Sequence, residues 1–249
     1  MFFFNKKKFL IDQFSDGLID IHNHLLPNLD DGSTSLETTM EMMALMKACN
    51  ISQAYVTPHI MEDFYELNTE VIGRKFGEVQ AAIEKDYPTY RNFLIDHSSE
   101  YMIDGQFEKL LDDRSFKCLK KNLLLCELSY FQKPINLDDL LFKLTSYGYR
   151  PILAHPERYR YLDFEELRTL NTQGFLFQAN LLSFSGYYGK DALGKSLFLL
   201  KEGLYSFIGT DAHKPQHLKQ LKEVQMKKNI SQQIEEIVRQ HTEIFSENF

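Results

Sequence analysis

The stretch LIDIHNHLLPNLDDG (residues 18–32) determines the interpretation of the whole chain. Its apolar start predicts a short strand. Residues two apart in an extended strand point to the same face, so His22 and His24 can offer two imidazoles to one cation. Asp30 and Asp31 follow directly before a turn-favouring glycine, and imidazole together with carboxylate suits Zn²⁺, Mn²⁺ or Fe²⁺. A histidine pair alone is a weak metal signal, so the rest of the chain has to support it.

The segments beyond this stretch repeat the same plan, in which an apolar run is followed by a polar residue. Strand-like runs cover 18–22, 51–57, 93–100, 123–129, 151–155, 175–181 and 205–213. Helical patterns lie between most of them, at 69–85, 106–113, 136–144, 163–173 and 190–202. Such alternation predicts an α/β fold with a parallel sheet or barrel. The polar residues at the strand ends are His22, His59, Glu100, Glu127, His155, Asn180 and Asp211.

Polar residues at nearly every strand end favour a closed barrel of about seven βα units. In a barrel the carboxyl ends of all strands meet at one mouth and form the active site. The competing architecture is a doubly wound open sheet, which groups its ligands at one or two switch points. We therefore expect a barrel, with the polar strand ends gathered at its mouth.

No linker interrupts this alternation, so the 249 residues are predicted to form a single domain. Residues 1–17 are an expected N-terminal extension, and 228–249 an expected C-terminal helix. Thr34 and Glu37 match a capping box at the start of the first helix. The C-terminal part is predicted to form two helices that separate near residues 229–231.

The composition excludes several classes of protein. The net charge of −7 argues against a protein that binds nucleic acid, which needs a concentrated positive field. No run approaches the ~20 apolar residues of a membrane span, and the apolar start precedes its lysines, which is the reverse of a signal peptide. Three scattered cysteines (Cys49, Cys118 and Cys126) predict reduced thiols in a cytoplasmic protein rather than a disulfide framework.

The polar residues at the strand ends indicate metal binding as a set, although each of them has an ordinary explanation alone. Alone, His59 or His155 is more often a hydrogen-bonded core residue, and Asp30 and Asp31 suit a turn. Glu127, however, lies in an apolar strand, where an unpaired carboxylate is costly unless a metal or a basic group joins it. Five histidines and four acids at successive strand ends are too many for one ion. They predict two or three metals that share carboxylates.

Six motifs in order make the sequence recognisable: DIHNHLLPNLDDG, TPH (57–59), SSEYM (98–102), CELS (126–129), AHPERY (154–159) and GTDAH (209–213). Over about residues 18–227 the chain closely resembles the polymerase-and-histidinol-phosphatase (PHP) superfamily. Within that superfamily it is similar to the manganese-dependent protein-tyrosine phosphatases of bacterial capsule and exopolysaccharide clusters. The resemblance implies a distorted (β/α)7 barrel, the PHP fold, that holds three metal ions, with Mn expected and Fe, Co or Zn as alternatives.

The resemblance also implies a role for each site residue. The first metal would be held by His22, His24, Glu100 and Asp211, the second by Glu100, Glu127 and His155, and the third by Asp31, His59 and His213. Arg158 would contact the substrate phosphate. The family often has a second arginine after the last motif. Here Lys214 or Lys219 stands in its place, and a lysine lacks the bidentate geometry of arginine. Where the family commonly has a second His or an Arg after TPH, this chain has Ile60.

The expected reaction is hydrolysis of phosphotyrosine on a protein by a metal-activated hydroxide, with His59 or His213 assisting the leaving group. By the resemblance, the substrate is the tail of a membrane-bound tyrosine autokinase that controls polysaccharide export. Cysteine-based chemistry is excluded, because it needs an arginine six residues after the cysteine and none of the three cysteines has one. Aromatic residues that can stack on a phosphotyrosine ring are Phe64, Tyr65, Tyr130, Phe131, Tyr159, Tyr187 and Tyr188.

Three alternatives remain open from the sequence. One is a small-molecule phosphoesterase of the same superfamily, such as histidinol-phosphate phosphatase. Another is a nuclease of that superfamily, which the acidic charge disfavours. The third is a non-catalytic protein with a vestigial metal site. The sequence does not determine the oligomeric state.

Overall fold

The computed structural model describes residues 7–14 and 17–246. The strands are β1 (Lys8–Phe9), β2 (Leu18–Asp20), β3 (Ile51–Val56), β4 (His59–Ile60), β5 (Leu94–His97), β6 (Glu100–Met102), β7 (Leu123–Glu127), β8 (Arg150–Ala154), β9 (Leu176–Asn180), β10 (Tyr205–Gly209) and β11 (Gln225–Met226). The α-helices are α1 (Leu36–Ala48), α2 (Thr69–Asp86), α3 (Gly105–Asp113), α4 (Leu137–Ser146), α5 (Phe164–Thr172), α6 (Lys190–Lys201), α7 (Pro215–Lys222) and α8 (Lys228–Ser246).

The strands that carry the site form two parallel sheets. One has six strands in the order β10-β9-β8-β7-β6-β4, and the other has three in the order β2-β3-β5. A further pair, β1 and β11, is antiparallel. The predicted strand–helix alternation is confirmed, because helices lie between most of the successive parallel strands.

Two predicted strands bend from one sheet into the other. The predicted strand 51–57 ends as β3 at Val56, and after Thr57-Pro58 the chain continues as β4; the predicted strand 93–100 ends as β5 at His97, and after Ser98-Ser99 the chain continues as β6. Hydrogen bonds continue through both bends, since the Ser98 amide donates to Val56 O (2.9 Å) and the Glu100 amide to Pro58 O (3.1 Å). The bends therefore join the sheets near the ends that carry His59 and Glu100.

The other edges of the two sheets meet beyond β2 and β10. The Asp211 amide donates to His22 O (2.7 Å), the His24 amide donates to Ala212 O (3.1 Å), and Asn23 forms a parallel bridge with Ala212. These contacts join the sheets at the same end of the molecule. Among the described residues the ladder is divided into two sheets, so a closed seven-stranded barrel stays a prediction.

Two sequence-based boundaries are wrong. The N-cap of α1 is Ser35, whose hydroxyl accepts from the Thr38 amide (3.2 Å); Thr34 lies one residue before it. Both residue types cap helices well, so the sequence alone did not decide between them. The C-terminal break also lies earlier than expected: residues 229–231 are in the first turn of α8, and β11 occupies the break by pairing with β1.

The predicted N-terminal extension is partly built into the fold. After β1, a 3-10 helix (Leu10–Phe14) buries Leu10 and Phe14 completely. The remaining residues of the extension, 1–6 and 15–16, and the C-terminal 247–249 lie outside the described residues.

Helix α8 closes the side of the fold where the two sheets meet. His241, fully buried on this helix, has Nε2 2.8 Å from Ile19 O and accepts through Nδ1 from the Ile208 amide (3.4 Å). It therefore contacts β2 and β10, which precede the histidine motif and the GTDAH motif. No helix within residues 7–14 and 17–246 has the length and apolar character to cross a bilayer.

Candidate metal centre

All nine predicted ligands lie at, or just beyond, the carboxyl ends of strands or in the loop after β2. Their nitrogen and oxygen atoms form three groups, in each of which the atoms lie within 4.8 Å of one another. The groups are His22, His24, Glu100 and Asp211; His24, Asp31, His59 and His213; and His59, Glu100 and Glu127. The structure thus brings together eight of the nine residues in overlapping sets, and His155 joins them through Glu100.

The first group is completely enclosed. His22 Nε2 lies 3.1 Å from Glu100 Oε2 and 3.4 Å from Asp211 Oδ1. His24 Nε2 lies 3.5 and 3.4 Å from the same two oxygens. Three of these atoms, His22 Nε2, His24 Nε2 and Glu100 Oε2, nevertheless have no hydrogen bond, because the pairs are close but poorly aligned. A buried polar atom without a partner costs about 1–3 kcal/mol, so atoms that converge in this way suit a cation between them.

The other two groups share His59. Its Nδ1 lies 2.9 Å from Glu127 Oε1 and 3.2 Å from Glu100 Oε2, and both Nδ1 and Glu127 Oε1 lack a hydrogen bond. Its Nε2 lies 3.6 Å from Asp31 Oδ1, and His213 Nε2 is 3.4 Å from that oxygen. Asp31 is the exposed member, with 57% of its side chain accessible, so this group is on the solvent side.

Glu100 is at the middle of the centre. Besides His22 and His59, it contacts His155, whose Nε2 is 3.0 Å from Glu100 Oε1. With His24, whose Nε2 lies 3.5 Å from Oε2, its two oxygens therefore face four imidazoles, which follow three different strands. This position agrees with the predicted bridging role of Glu100, and no other carboxylate of the centre reaches His155 in the contacts that the structure shows.

Each of three histidines is oriented by an acceptor behind it. His22 Nδ1 lies 2.8 Å from Gln178 Oε1, and His24 Nδ1 lies 2.7 Å from Asp30 Oδ2. His213 Nδ1 lies 3.0 Å from the carbonyl oxygen of Asp211. A proton on each Nδ1 directs the Nε2 lone pair into the centre, as is usual for metal-ligating histidines.

Sequence reasoning missed two of these orienting groups. The sequence offers Asp30 as a turn residue or as a carboxylate near the metal, but not as the acceptor behind His24; it also accepts from the backbone amides of Gly32 and His59, at 3.0 Å each. Gln178 precedes Asn180 by two residues on β9, and residues two apart on a strand point to the same face. The prediction that Asn180 faces the centre therefore also applied to Gln178.

The backbone around the ligands is tightly constrained. His155 (φ 34°) and Asp211 (φ 50°) adopt the left-handed conformation, which is unfavourable for residues other than glycine and clusters at functional sites. At Gly32 a Cβ atom would lie 2.3 Å from His24 O, so only glycine fits there. A buried carboxylate, Asp20, adds to this by accepting from the Thr210 hydroxyl (2.6 Å) and amide (3.0 Å), which ties β2 to the loop that carries Asp211.

Arg158 is held at the edge of the centre. Its Nη1 is 2.5 Å from Asp211 Oδ2, and its guanidinium lies 5.0 Å from the Tyr130 ring centre and 4.2 Å from that of Tyr188. The ring of Tyr130 also stacks on His155 at 5.9 Å. Two aromatic faces and a carboxylate thus orient the planar fork, which matches the geometry of a phosphate.

Buried groups of opposite charge fix the segment on either side of Arg158. The carboxylate of Glu157 accepts from the Asn180 amide (2.9 Å) and from two hydroxyls, those of Ser183 (2.7 Å) and Tyr205 (2.9 Å). From α6, the buried Lys195 ammonium donates to Tyr159 O (2.8 Å).

The two lysines that could take the place of the family's second arginine lie in different surroundings. Lys214 is exposed and lines a cavity of about 250 Å³ together with Arg158, Asp31 and His213. Lys219 points elsewhere and forms an ion pair with Glu41 (2.9 Å). Lys214 is therefore the lysine placed to accompany Arg158.

The seven predicted stacking aromatics divide by position. Tyr65 stacks on His59 at 5.5 Å, while Tyr130 and Tyr188 flank Arg158. Tyr159 is completely buried, with its hydroxyl accepting from the Leu128 amide (2.9 Å), so the prediction that it stacks on substrate is wrong. The remaining three, Phe64, Phe131 and Tyr187, are exposed. Of these, Phe64 and Phe131 make no ring contact with a candidate ligand in the part of the chain that the structure describes, so they are not placed to stack on a ring bound in the centre.

The charges of the centre perturb one another strongly. Burial opposes protonation of His22, but the carboxylates of Glu100 and Asp211 outweigh it and raise the pKa of His22 to about 9. Burial and the neighbouring Glu100 raise the pKa of Glu127. Burial and the Arg158 charge lower the pKa of His155 to about 4. Protons thus balance the clustered carboxylates when no other cation does, and bound metal would displace them.

The chain is similar in sequence to proteins that are named tyrosine-protein phosphatases. The chain is 28% identical over 200 residues to tyrosine-protein phosphatase YwqE of Bacillus subtilis, covering 79% of this chain and 77% of that protein. It is 26% identical over 231 residues to tyrosine-protein phosphatase CpsB of Streptococcus pneumoniae, covering 85% and 90%.

Solved structures show the same fold. Crystal structures of YwqE from Bacillus subtilis and CpsB from Streptococcus pneumoniae, described as unique metal-dependent tyrosine phosphatases, include a chain that superposes with a TM-score of 0.77 at 24% identity, covering 93% of this chain and 96% of that one. Histidinol phosphate phosphatase from Lactococcus lactis, solved with zinc, L-histidinol and phosphate, superposes with a TM-score of 0.51 at 15% identity, covering 90% and 93%. The mixed α/β fold of one domain is thereby confirmed.

The family model for capsular polysaccharide synthesis, CpsB/CapC, matches residues 18–248. This range includes every strand of the two parallel sheets and all of the helices α1 to α8. Because this model matches most of the chain, and the relatives and the solved structure agree with it, the chain belongs to the CpsB/CapC family.

Proposed function

We propose that the chain is a metal-dependent protein-tyrosine phosphatase that hydrolyses phosphotyrosine through a metal-activated hydroxide. The observation that carries this proposal is the set of buried, unpaired imidazole and carboxylate atoms around Glu100, with Arg158 beside them. Membership of a family whose relatives are named tyrosine-protein phosphatases supports it.

The proposed centre holds two or three divalent ions, with Mn²⁺ as the expected metal. His22, His24, Glu100 and Asp211 form the first site. Glu100 bridges to a second site with Glu127 and His155, and Asp31, His59 and His213 form the third. The contacts of His59 with both Glu127 and Asp31 support a position at the border of the second and third sites.

Bound divalent ions would supply Lewis acidity and acidify water toward hydroxide. Arg158 and Lys214 neutralise and orient the phosphoryl oxygens, which is the main task in phosphoryl transfer. Because Asp211 holds Arg158 at 2.5 Å, the same carboxylate links the phosphate clamp to the ligand set. The tyrosinate leaving group has a pKa of about 10 and needs little protonation, which His59 or His213 can assist.

The substrate proposed for this centre is the phosphorylated tail of a membrane-bound tyrosine autokinase that controls polysaccharide synthesis, met in the cytoplasm. The two sheets, joined at the carboxyl ends of their strands, are proposed to act as a distorted (β/α)7 barrel within one domain of residues 1–249.

The test combines metal content with activity. After reconstitution with Mn²⁺, the protein should contain two to three equivalents of metal and hydrolyse both p-nitrophenyl phosphate and a phosphotyrosyl peptide. The variant His22→Ala/Glu127→Ala should lose metal and activity together, whereas Glu235→Ala, on the outer helix α8, should lose neither.

Two results would overturn the proposal. Indifference to the phosphotyrosyl peptide with rapid hydrolysis of histidinol phosphate would assign the chain to small-molecule chemistry. Full activity in the double variant would show that the ligand assignment is wrong.

A further inference from the structure

The rim of the metal centre carries large apolar side chains that contact little of the protein. Phe131 is 93% exposed and Ile135 is fully exposed, which makes them the two most exposed large apolar side chains among residues 7–14 and 17–246. Phe64 follows with 76%. Exposed apolar groups beside a functional site indicate an interaction surface. Phe64, Phe131 and Ile135 are called the rim patch below.

Phe131 and Ile135 project from a loop that is fixed at both ends. The loop, residues 128–136, follows β7, whose last residue is the candidate ligand Glu127. At its start the Tyr161 hydroxyl donates to Ser129 O (2.9 Å), and at its end the Asn136 amide group donates to Glu108 Oε1 (2.9 Å). The tip therefore projects from a fixed base, so its exposure is built into the local hydrogen bonding.

Phe64 lies on a second loop that rests on the same helix. This loop contacts the first turns of α3, because the Glu62 amide donates to Asp104 Oδ2 (2.8 Å) and Gln106 Nε2 donates to Leu67 O (3.0 Å). Since Glu108 of α3 also holds the first loop, one helix supports both parts of the rim patch.

The rim patch is continuous with the centre through its neighbours in sequence. Tyr130 precedes Phe131 and stacks on His155, and Tyr65 follows Phe64 and stacks on His59. Inner aromatics thus line the candidate ligands, and outer apolar residues continue the surface toward solvent. Lys133, exposed between Phe131 and Ile135, adds positive charge that complements a phosphorylated chain.

We infer that the rim patch binds the polypeptide on either side of the phosphotyrosine, through apolar side chains of the substrate close to that residue. The inference rests on the proposed function. A small phosphate ester fits entirely within the centre, whereas the polypeptide on either side of a bound phosphotyrosine must extend across the rim. The patch therefore distinguishes protein substrates from small ones and favours phosphotyrosine with apolar neighbours.

The test pairs changes in the enzyme with changes in the substrate. Two phosphotyrosyl peptides are compared that differ only in carrying leucine or serine two residues before and after the phosphotyrosine. The Mn²⁺-loaded wild type should show a KM about tenfold lower for the leucine peptide, as expected for a small contact hot spot. Phe131→Ser/Ile135→Ser should abolish this preference and leave kcat/KM for p-nitrophenyl phosphate within about twofold of the wild type.

The matched control is Phe142→Ser on α4, because Phe142 is as exposed as Phe64 but lies outside both loops. It should keep the peptide preference, and equal loss of preference there would overturn the assignment to the rim patch. Equal KM values for the two peptides in the wild type would overturn the inference alone. Failure of the wild type to hydrolyse any phosphopeptide would overturn the proposed function. Unchanged peptide kinetics in the double variant, together with a smaller hydrodynamic size, would assign the patch to a second copy of the chain and also overturn the inference.

Discussion

Asp30 and Asp31 are adjacent carboxylates for which the structure indicates different tasks, and Asp30→Asn tests that difference. Asp30 Oδ2 serves two donors, His24 Nδ1 (2.7 Å) and the His59 amide (3.0 Å), and Oδ1 serves the Gly32 amide (3.0 Å). An asparagine can keep an acceptor on one side only. With its oxygen toward His24, its NH₂ group faces the Gly32 N–H, and one acceptor becomes a donor.

The size of the effect follows from these contacts. Loss of the Gly32 hydrogen bond leaves an unpaired donor, at a cost of about 1–3 kcal/mol. The bond to His24 also loses its charge assistance, which is about half of its strength. Part of this cost is avoided when the loop relaxes in the metal-free protein, and it appears when the metal binds. We therefore expect Mn²⁺ affinity to fall about 10- to 100-fold, the range for groups that orient ligating histidines.

The assay is calorimetric titration of Mn²⁺ into chelator-stripped protein, with kcat measured at saturating metal. Asp30→Asn should bind the full number of ions more weakly and recover kcat to within about threefold of the wild type. Asp31→Asn should instead lose one equivalent of metal, and Asp12→Asn, exposed on the 3-10 helix, should match the wild type. Unchanged Mn²⁺ affinity in Asp30→Asn would refute the orienting role, as would a loss of kcat that saturating metal does not restore.

Lys195 donates to the carbonyl oxygen of Tyr159, the residue after Arg158, and so positions Arg158. Lys195→Met should therefore lower kcat/KM for p-nitrophenyl phosphate about tenfold in the wild type but add little to the loss in Arg158→Ala. Independent losses from the two substitutions in a double-mutant cycle would contradict this positioning role. Lys214→Ala should raise KM about threefold to tenfold, with Lys214→Arg restoring it, and an unchanged KM would exclude Lys214 from phosphate binding. Saturating Mn²⁺ should raise the midpoint of thermal unfolding by about 5–10 °C over chelated protein, because a ligand at ~100 times its Kd contributes about 2.7 kcal/mol; an equal midpoint would contradict a centre that joins the sheets. Burial lowers the pKa of His241 to about 4, whereas the unfolded value is about 6.5, so the unfolded chain holds more protons between these values. The contribution of His241 to the free energy of unfolding is therefore fully present above pH 6.5 and falls by up to about 3 kcal/mol toward pH 4. In urea unfolding of the metal-free protein, His241→Gln should show a shallower pH dependence of this free energy than the wild type. Equal pH dependence in the two proteins would show that His241 is not its source.

The nine candidate ligands could be located from the sequence because the chemistry of a parallel α/β fold is concentrated at strand ends. Short apolar runs are easy to locate, and the residue after each run is then placed at the carboxyl end of a strand. Glu127 is the clearest example, since an acid in an apolar strand requires a cation or a partner wherever the strand lies. Its contact with His59 at 2.9 Å confirms that these two strand ends meet.

The supporting groups were harder to predict because their signals are not local. Asp30 and Asp31 are identical in type and adjacent, and only the folded loop shows that one faces His24 and the other faces solvent. Lys195 lies 37 residues after Arg158, on a helix whose pattern shows no sign of a buried ammonium. The pairing of β1 with β11 joins distant segments of two residues each, which are too short to give a periodic signal.

The way in which the two sheets meet makes the candidate centre part of the fold. His22 and His24 follow the three-stranded sheet, whereas Glu100 and Glu127 belong to the six-stranded one. On one side the sheets are joined by bent strands, and on the other by a few hydrogen bonds beyond β2 and β10. Between these two connections the carboxylates of Glu100 and Asp211 face buried imidazoles at 3.1–3.5 Å without aligned hydrogen bonds. A cation held by these residues would replace several unpaired contacts with bonds to both sheets, so metal binding should stabilise the connection between the sheets and the site together. Loss of metal should therefore expose the amides of His24 and Asp211 to hydrogen exchange sooner than the ladder between β7 and β8, which lies within one sheet.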